Sequence, residues 1–113
     1  MITIYHNPRC SKSREGLQFL ENSGAEFTKV VYMDNPLSAA EIKDLLKKLN
    51  IPAIELVRKN EAIWKENFKG KELSEKEIIQ AMTDYPNLIE RPIVVNGKKA
   101  IIGRPTEKIH EIL

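Results

Sequence analysis

The sequence predicts a mixed α/β fold, built as a β-α-β unit, a helical block and a closing β-β-α unit. Three observations predict it. Runs of β-branched and aromatic residues stand near both ends of the chain, apolar residues at helical spacing alternate with them, and two capping boxes open helices in the middle. At 113 residues the chain is read as one domain, residues 1–113, large enough for a core without metal or disulfide staples.

Ile2 and Ile4 alternate with Thr3 in a strand over Met1 to Tyr5, which the Asn7-Pro8 turn signal ends. A helix follows from about Cys10 to Asn22, with Leu17, Phe19 and Leu20 on one side and Gly24 as its stop. Phe27 to Tyr32 reads as a second strand. Two strands separated by a helix imply a right-handed crossover and parallel pairing.

Ser38 with Glu41 forms a capping box, and Ile42, Leu45, Leu46 and Leu49 carry the helix behind it to Leu49. The pattern is less regular from Ala53 to Lys71, with helical fragments around Ile54 to Val57 and Ala62 to Trp64. Ser74 with Glu77 opens a further helix to about Thr83 that buries Ile78, Ile79 and Met82. Residues 38–83 thus read as a helical insertion between two parts of a sheet. Ile93 to Val95 and Ala100 to Ile102 flank Asn96-Gly97, the signal of an antiparallel hairpin. Gly103-Arg104-Pro105-Thr106 then starts a last helix, with Pro105 at its first position and Ile109, Ile112 and Leu113 as its buried face.

The only cysteine, Cys10, falls where the first strand turns into the first helix. A lone cysteine is most often a small buried hydrophobe. This one stands two residues after Pro8 and is flanked by Arg9, Ser11 and Lys12, which suits an exposed corner better than a core. A helix start presents unpaired N–H groups and the positive end of the dipole, so it favours a thiolate nucleophile. Arg9, Lys12 and Arg14 add cations. No second cysteine stands three residues on, where Ser13 is found, so any oxidised sulfur must be resolved by another molecule's thiol. Asn7 is read as shaping the turn.

A cysteine opening the first helix of a β-α-β unit, with a hairpin and helix to follow, is the layout of thioredoxin-like folds. In those folds a proline before the third strand is commonly cis and lies beside the active cysteine, and Pro92 fits that place. The matching segments are Ile4-Tyr5-His6-Asn7-Pro8 leading to Cys10, Ser13-Arg14, Leu56-Val57-Arg58-Lys59-Asn60, Arg91-Pro92-Ile93-Val94-Val95 and Gly103-Arg104-Pro105. On these the chain resembles the glutaredoxin-dependent arsenate reductases over essentially its whole length. The resemblance implies that Cys10 is the nucleophile, that Arg58, Arg91 and Arg104 line an oxyanion site, and that His6 and Ser13 promote the thiolate. It also implies arsenate as substrate, glutathione as reducing co-substrate and glutaredoxin as partner, with no bound cofactor. Arginine suits such a site because its planar fork bonds oxyanion oxygens and keeps its charge. Two alternatives stand beside this: a regulatory protein like the Spx-type relatives, and a glutathione-dependent thiol reductase with another substrate.

The remaining features exclude more than they suggest. A formal charge of +2, with acids and bases interleaved, does not argue for nucleic-acid binding. No secretory signal or membrane-spanning stretch is present, so the chain is expected to be cytoplasmic. His6, Cys10 and His110 match no zinc spacing, and His110 and Trp64 receive no function.

Overall fold

β1 is the strand on which the sheet is built. In the computed structural model, which describes residues 1–113, the order is β1 (Ile2–His6), α1 (Ser11–Ser23), β2 (Phe27–Val31), α2 (Ala39–Leu49), α3 (Ala53–Leu56), α4 (Ala62–Asn67), α5 (Glu75–Asp84), a 3₁₀ turn (Pro86–Leu88), β3 (Ile93–Asn96), β4 (Lys99–Ile102) and a C-terminal 3₁₀ helix (Thr106–Ile112). The strands form one sheet in the order β2-β1-β3-β4. β1 runs parallel to β2, with Ile4 opposite Lys29, and antiparallel to β3, with Ile4 opposite Val94. The chain belongs to the mixed α/β class.

By its contacts the chain divides into two compact units, residues 1–35 with 91–113, and residues 36–90. The first unit holds the sheet. Side chains alternate across a strand, so Ile2, Ile4 and His6 share one face of β1. Ile4 meets Leu20 of α1, Val94 of β3 and Ile109 and Ile112 of the C-terminal helix in a core cluster, with Leu17, Phe19, Phe27 and Ile101 packed around it. α1 ends as expected at Gly24, which takes a left-handed φ of 77°.

Three details at the end of this unit depart from expectation. In the β3–β4 hairpin Asn96 still pairs with Lys99, so the turn is Gly97-Lys98, with Gly97 at a φ of 63° in its first central position. The last helix is 3₁₀ rather than α, and Pro105 stands before it as N-cap. Leu113 is exposed while Ile109 and Ile112 are buried. Residues three apart stack in a 3₁₀ helix, so Ile109 and Ile112 lie over one another and a residue four after Ile109 rotates outward.

The second unit is helical. Ser38 and Ser74 each accept a bond from the backbone N–H three residues on, and Glu41 and Glu77 return one, so both capping boxes form. Ile42, Leu45 and Leu46 of α2, Ala53 and Leu56 of α3, and Ile78, Ile79 and Met82 of α5 are buried. Trp64 stacks on Phe68 at a 5.3 Å centroid distance. The segments 56–58 and 88–90 are stapled by Arg58 N–H to the Leu88 carbonyl at 2.7 Å and Glu90 N–H to the Leu56 carbonyl at 2.8 Å. No helix is long and apolar enough to cross a membrane.

Candidate active site

Cys10 stands at the carboxyl end of β1, as the N-cap of α1, with extended backbone angles of −98° and 124°. The turn that delivers it follows from its residues. Asn7 and Pro8 occupy the first two positions of a tight turn closed by Cys10 N–H to the Asn7 carbonyl at 3.0 Å. The Asn7 side-chain oxygen accepts from Arg9 N–H at 3.1 Å, and Arg14 Nη1 reaches back from the helix to the Pro8 carbonyl at 2.8 Å. Arg14 N–H bonds the Cys10 carbonyl at 3.0 Å as the helix begins. The turn is held from both sides.

Cys10 is partly exposed. Its side chain caps no backbone N–H, and the first turn of α1 contains no acidic residue. The positive end of the helix dipole is therefore left without a carboxylate partner beside the sulfur. The neighbouring cations are partly committed: Lys12 pairs with Glu15 at 3.3 Å, and Arg14 serves the Pro8 carbonyl.

His6 and Ser13 come together, and both are buried. His6 Nδ1 lies 2.7 Å from Ser13 Oγ, and Ser13 Oγ also accepts from Asn7 N–H at 2.9 Å. One arrangement satisfies the whole relay: Asn7 N–H donates to Ser13, whose hydroxyl donates to Nδ1, leaving the ring proton on Nε2. Ser13 thus binds the loop and the histidine. Burial pushes the His6 imidazole below the ordinary histidine value and the Lys29 ammonium pushes the same way; the Ser13 bond opposes them, and the Arg14 guanidinium adds to the lowering. The neutral ring is favoured.

Arg91 is buried and immediately precedes Pro92, with a cis peptide bond between them as anticipated for that position. Arg104 precedes Pro105, also across a cis bond, at the corner between β4 and the last helix. Gly103 N–H donates to the Pro92 carbonyl at 2.8 Å, so the backbone segments carrying these two arginines are neighbours. Arg58 lies in the helical unit, with Nη1 3.3 Å from Glu61 and Nε 3.3 Å from Glu90. These carboxylates were not anticipated. Glu61, three residues on, was open to notice; Glu90 is brought in only by the staple between segments 56–58 and 88–90.

Comparison with known proteins gives a consistent neighbourhood. The pattern of the ArsC family matches residues 5–112. The chain is 52% identical to the uncharacterized protein YfgD of Escherichia coli strain K12, over 99% of this chain and 96% of that protein. It is 43% identical to an arsenate reductase of Haemophilus influenzae, over 99% and 98%. Among solved structures, an arsenate reductase from Vibrio cholerae superposes with a TM-score of 0.95 at 42% identity, covering 99% of this chain and 97% of the other. The thioredoxin-like fold class rests on that match.

Proposed function

Since the chain belongs to the ArsC family, we propose that it is an arsenate reductase in which Cys10 is the nucleophile and Arg91, Arg104 and Arg58 bind the oxyanion. The observation that carries this reading is Cys10 at the start of α1, with neither a side-chain cap nor an acidic residue in that first turn. A dianionic tetrahedral substrate needs positive compensation to approach a thiolate, and fixed backbone N–H groups with arginine forks supply it.

In the proposed mechanism Cys10 sulfur bonds to arsenic and one oxygen leaves as water, taking up the proton that the thiol gives. Arsenic stays pentavalent. The sulfur of glutathione displaces a second oxygen, again as water. A glutaredoxin thiolate then attacks the glutathione sulfur; the sulfur–arsenic electron pair reduces arsenic to the trivalent state, and a glutaredoxin–glutathione disulfide forms. Water cleaves the remaining bond to Cys10, releasing arsenite and restoring the thiol. With one cysteine in the chain, the electrons come from outside it. His6 and Ser13 act here by holding the Asn7 to Cys10 turn. Glutathione as reductant implies work in the cytoplasm, within one domain of which residues 38–83 are the helical insertion.

Arsenite release from arsenate by the purified protein with glutathione and glutaredoxin tests the reading. A hydrogen bond to a charged group contributes roughly 1.5–3 kcal/mol, so Arg91→Ala and Arg104→Ala are each expected to lower kcat/KM about 10- to 100-fold. Arg58→Ala is expected to lose less, because Glu61 and Glu90 already share its charge. Full activity in both Arg91→Ala and Arg104→Ala would refute the anion site.

A further inference from the structure

Three of the five glycines have an evident reason to be glycine: Gly24, Gly70 and Gly97 have φ values of 77°, 81° and 63°, and a Cβ at any of them would meet nothing within 4 Å. Gly16 and Gly103 are different. Neither has a positive φ, so the backbone permits a side chain at both. Gly16 lies inside α1, where glycine is the poorest helix former after proline. What both share is one neighbour. A Cβ at Gly16 would lie 2.6 Å from Pro92 Cγ and 3.3 Å from Ile109 Cδ1; a Cβ at Gly103 would lie 3.1 Å from the same Pro92 Cγ and 3.0 Å from Ile109 Cγ1. The Pro92 ring is seated in a notch made by two absent side chains.

We infer that Gly16 and Gly103 are positioning residues, which register the three segments bearing Cys10, Arg91 and Arg104 against one another through the Pro92 ring. Gly16 belongs to the helix that Cys10 begins, Pro92 follows Arg91, and Gly103 precedes Arg104. Gly103 N–H also holds the Pro92 carbonyl at 2.8 Å, so ring and backbone of Pro92 are both fixed. The closest approach, at Gly16, is to a ring atom that cannot rotate away, so an added methyl displaces Pro92 and with it the buried Arg91. The Asn7 to Cys10 turn keeps its own hydrogen bonds, so the local setting of the sulfur is unchanged while its alignment with Arg91 is lost. The inference rests on the proposed oxyanion reading and assigns that site its alignment.

The test is protection of Cys10 from iodoacetamide by arsenate, measured on the full chain below its melting temperature. Gly16→Ala is expected to be alkylated in the absence of arsenate within about twofold of the wild-type rate, and to need roughly tenfold more arsenate for half protection. Gly103→Ala, where the added contacts are longer, is expected to shift protection in the same direction by less. Ser74→Ala, which removes the N-cap of α5 and touches neither Pro92 nor Ile109, loses stability and keeps the wild-type protection curve. Wild-type protection curves in both glycine variants would overturn the inference alone; an equal shift in Ser74→Ala would reduce it to a stability effect and overturn it too. A wild-type protein that arsenate does not protect would overturn the oxyanion reading, and this inference with it.

Discussion

The Ser13 hydroxyl is wholly buried and serves two buried partners, the Asn7 N–H and His6 Nδ1. Removing it orphans both. Ser13→Ala is therefore expected to lower unfolding free energy by about 1–3 kcal/mol, measured by urea titration, with the turn before Cys10 loosened. Its partner sets a pH dependence of known sign. The native His6 value lies below 6.5, so as pH falls past 6.5 the unfolded chain takes up a proton that the native chain resists. The contribution is fully present above pH 6.5 and is lost as pH falls through the native value. His6→Gln removes that titration, and its unfolding free energy is expected to fall less steeply than wild type between about pH 7 and pH 5. Identical slopes would contradict the neutral buried ring. The bond from Ser13 to His6 is not legible in the sequence, because a hydroxyl in a helix's first turn reaches several groups, and only the packing of β1 against α1 decides between them.

At the level of elements, α1 differs from α2 and α5. The latter two begin with serine capping boxes, and Ser38→Ala or Ser74→Ala is expected to cost about 1 kcal/mol each in urea unfolding. α1 begins with a cysteine that caps nothing. A serine at that position, with the extended backbone it already has, can accept from the free N–H groups, so Cys10→Ser is expected to gain up to about 1 kcal/mol while losing catalysis. A Cys10→Ser protein less stable than wild type would mean the sulfur holds the helix start. The two capping boxes and the Gly24 stop were legible in the sequence because each is a contact between residues three or four apart. The hairpin turn lies one residue later than Asn96-Gly97 suggests, since that pair names a turn without fixing which residue still pairs. The C-terminal helix is 3₁₀ although Ile109, Ile112 and Leu113 fit a period near 3.6, because burial selects only the pair three apart.

For the molecule as a whole, long-range pairing decides what the chain order conceals. β3 returns beside β1, so the sheet runs β2-β1-β3-β4, and the Pro92 and Gly103 segments become neighbours although hairpin strands separate them in sequence. Cys10 could be named from its place at a helix start, and Arg91 and Arg104 from the segments that carry the family resemblance. The glycine notch between their segments and the Glu90 carboxylate beside Arg58 could not, because both exist only after distant segments meet. In the proposed mechanism labour is divided between a sulfur that makes the covalent bond and guanidinium groups that hold the anion. Cys10→Ser separates the two tasks most directly: arsenate binding by calorimetry beside arsenite release with glutathione and glutaredoxin. Arsenate affinity is expected within a few-fold of wild type, with no arsenite formed. Continued arsenite release without that sulfur would contradict the proposed mechanism.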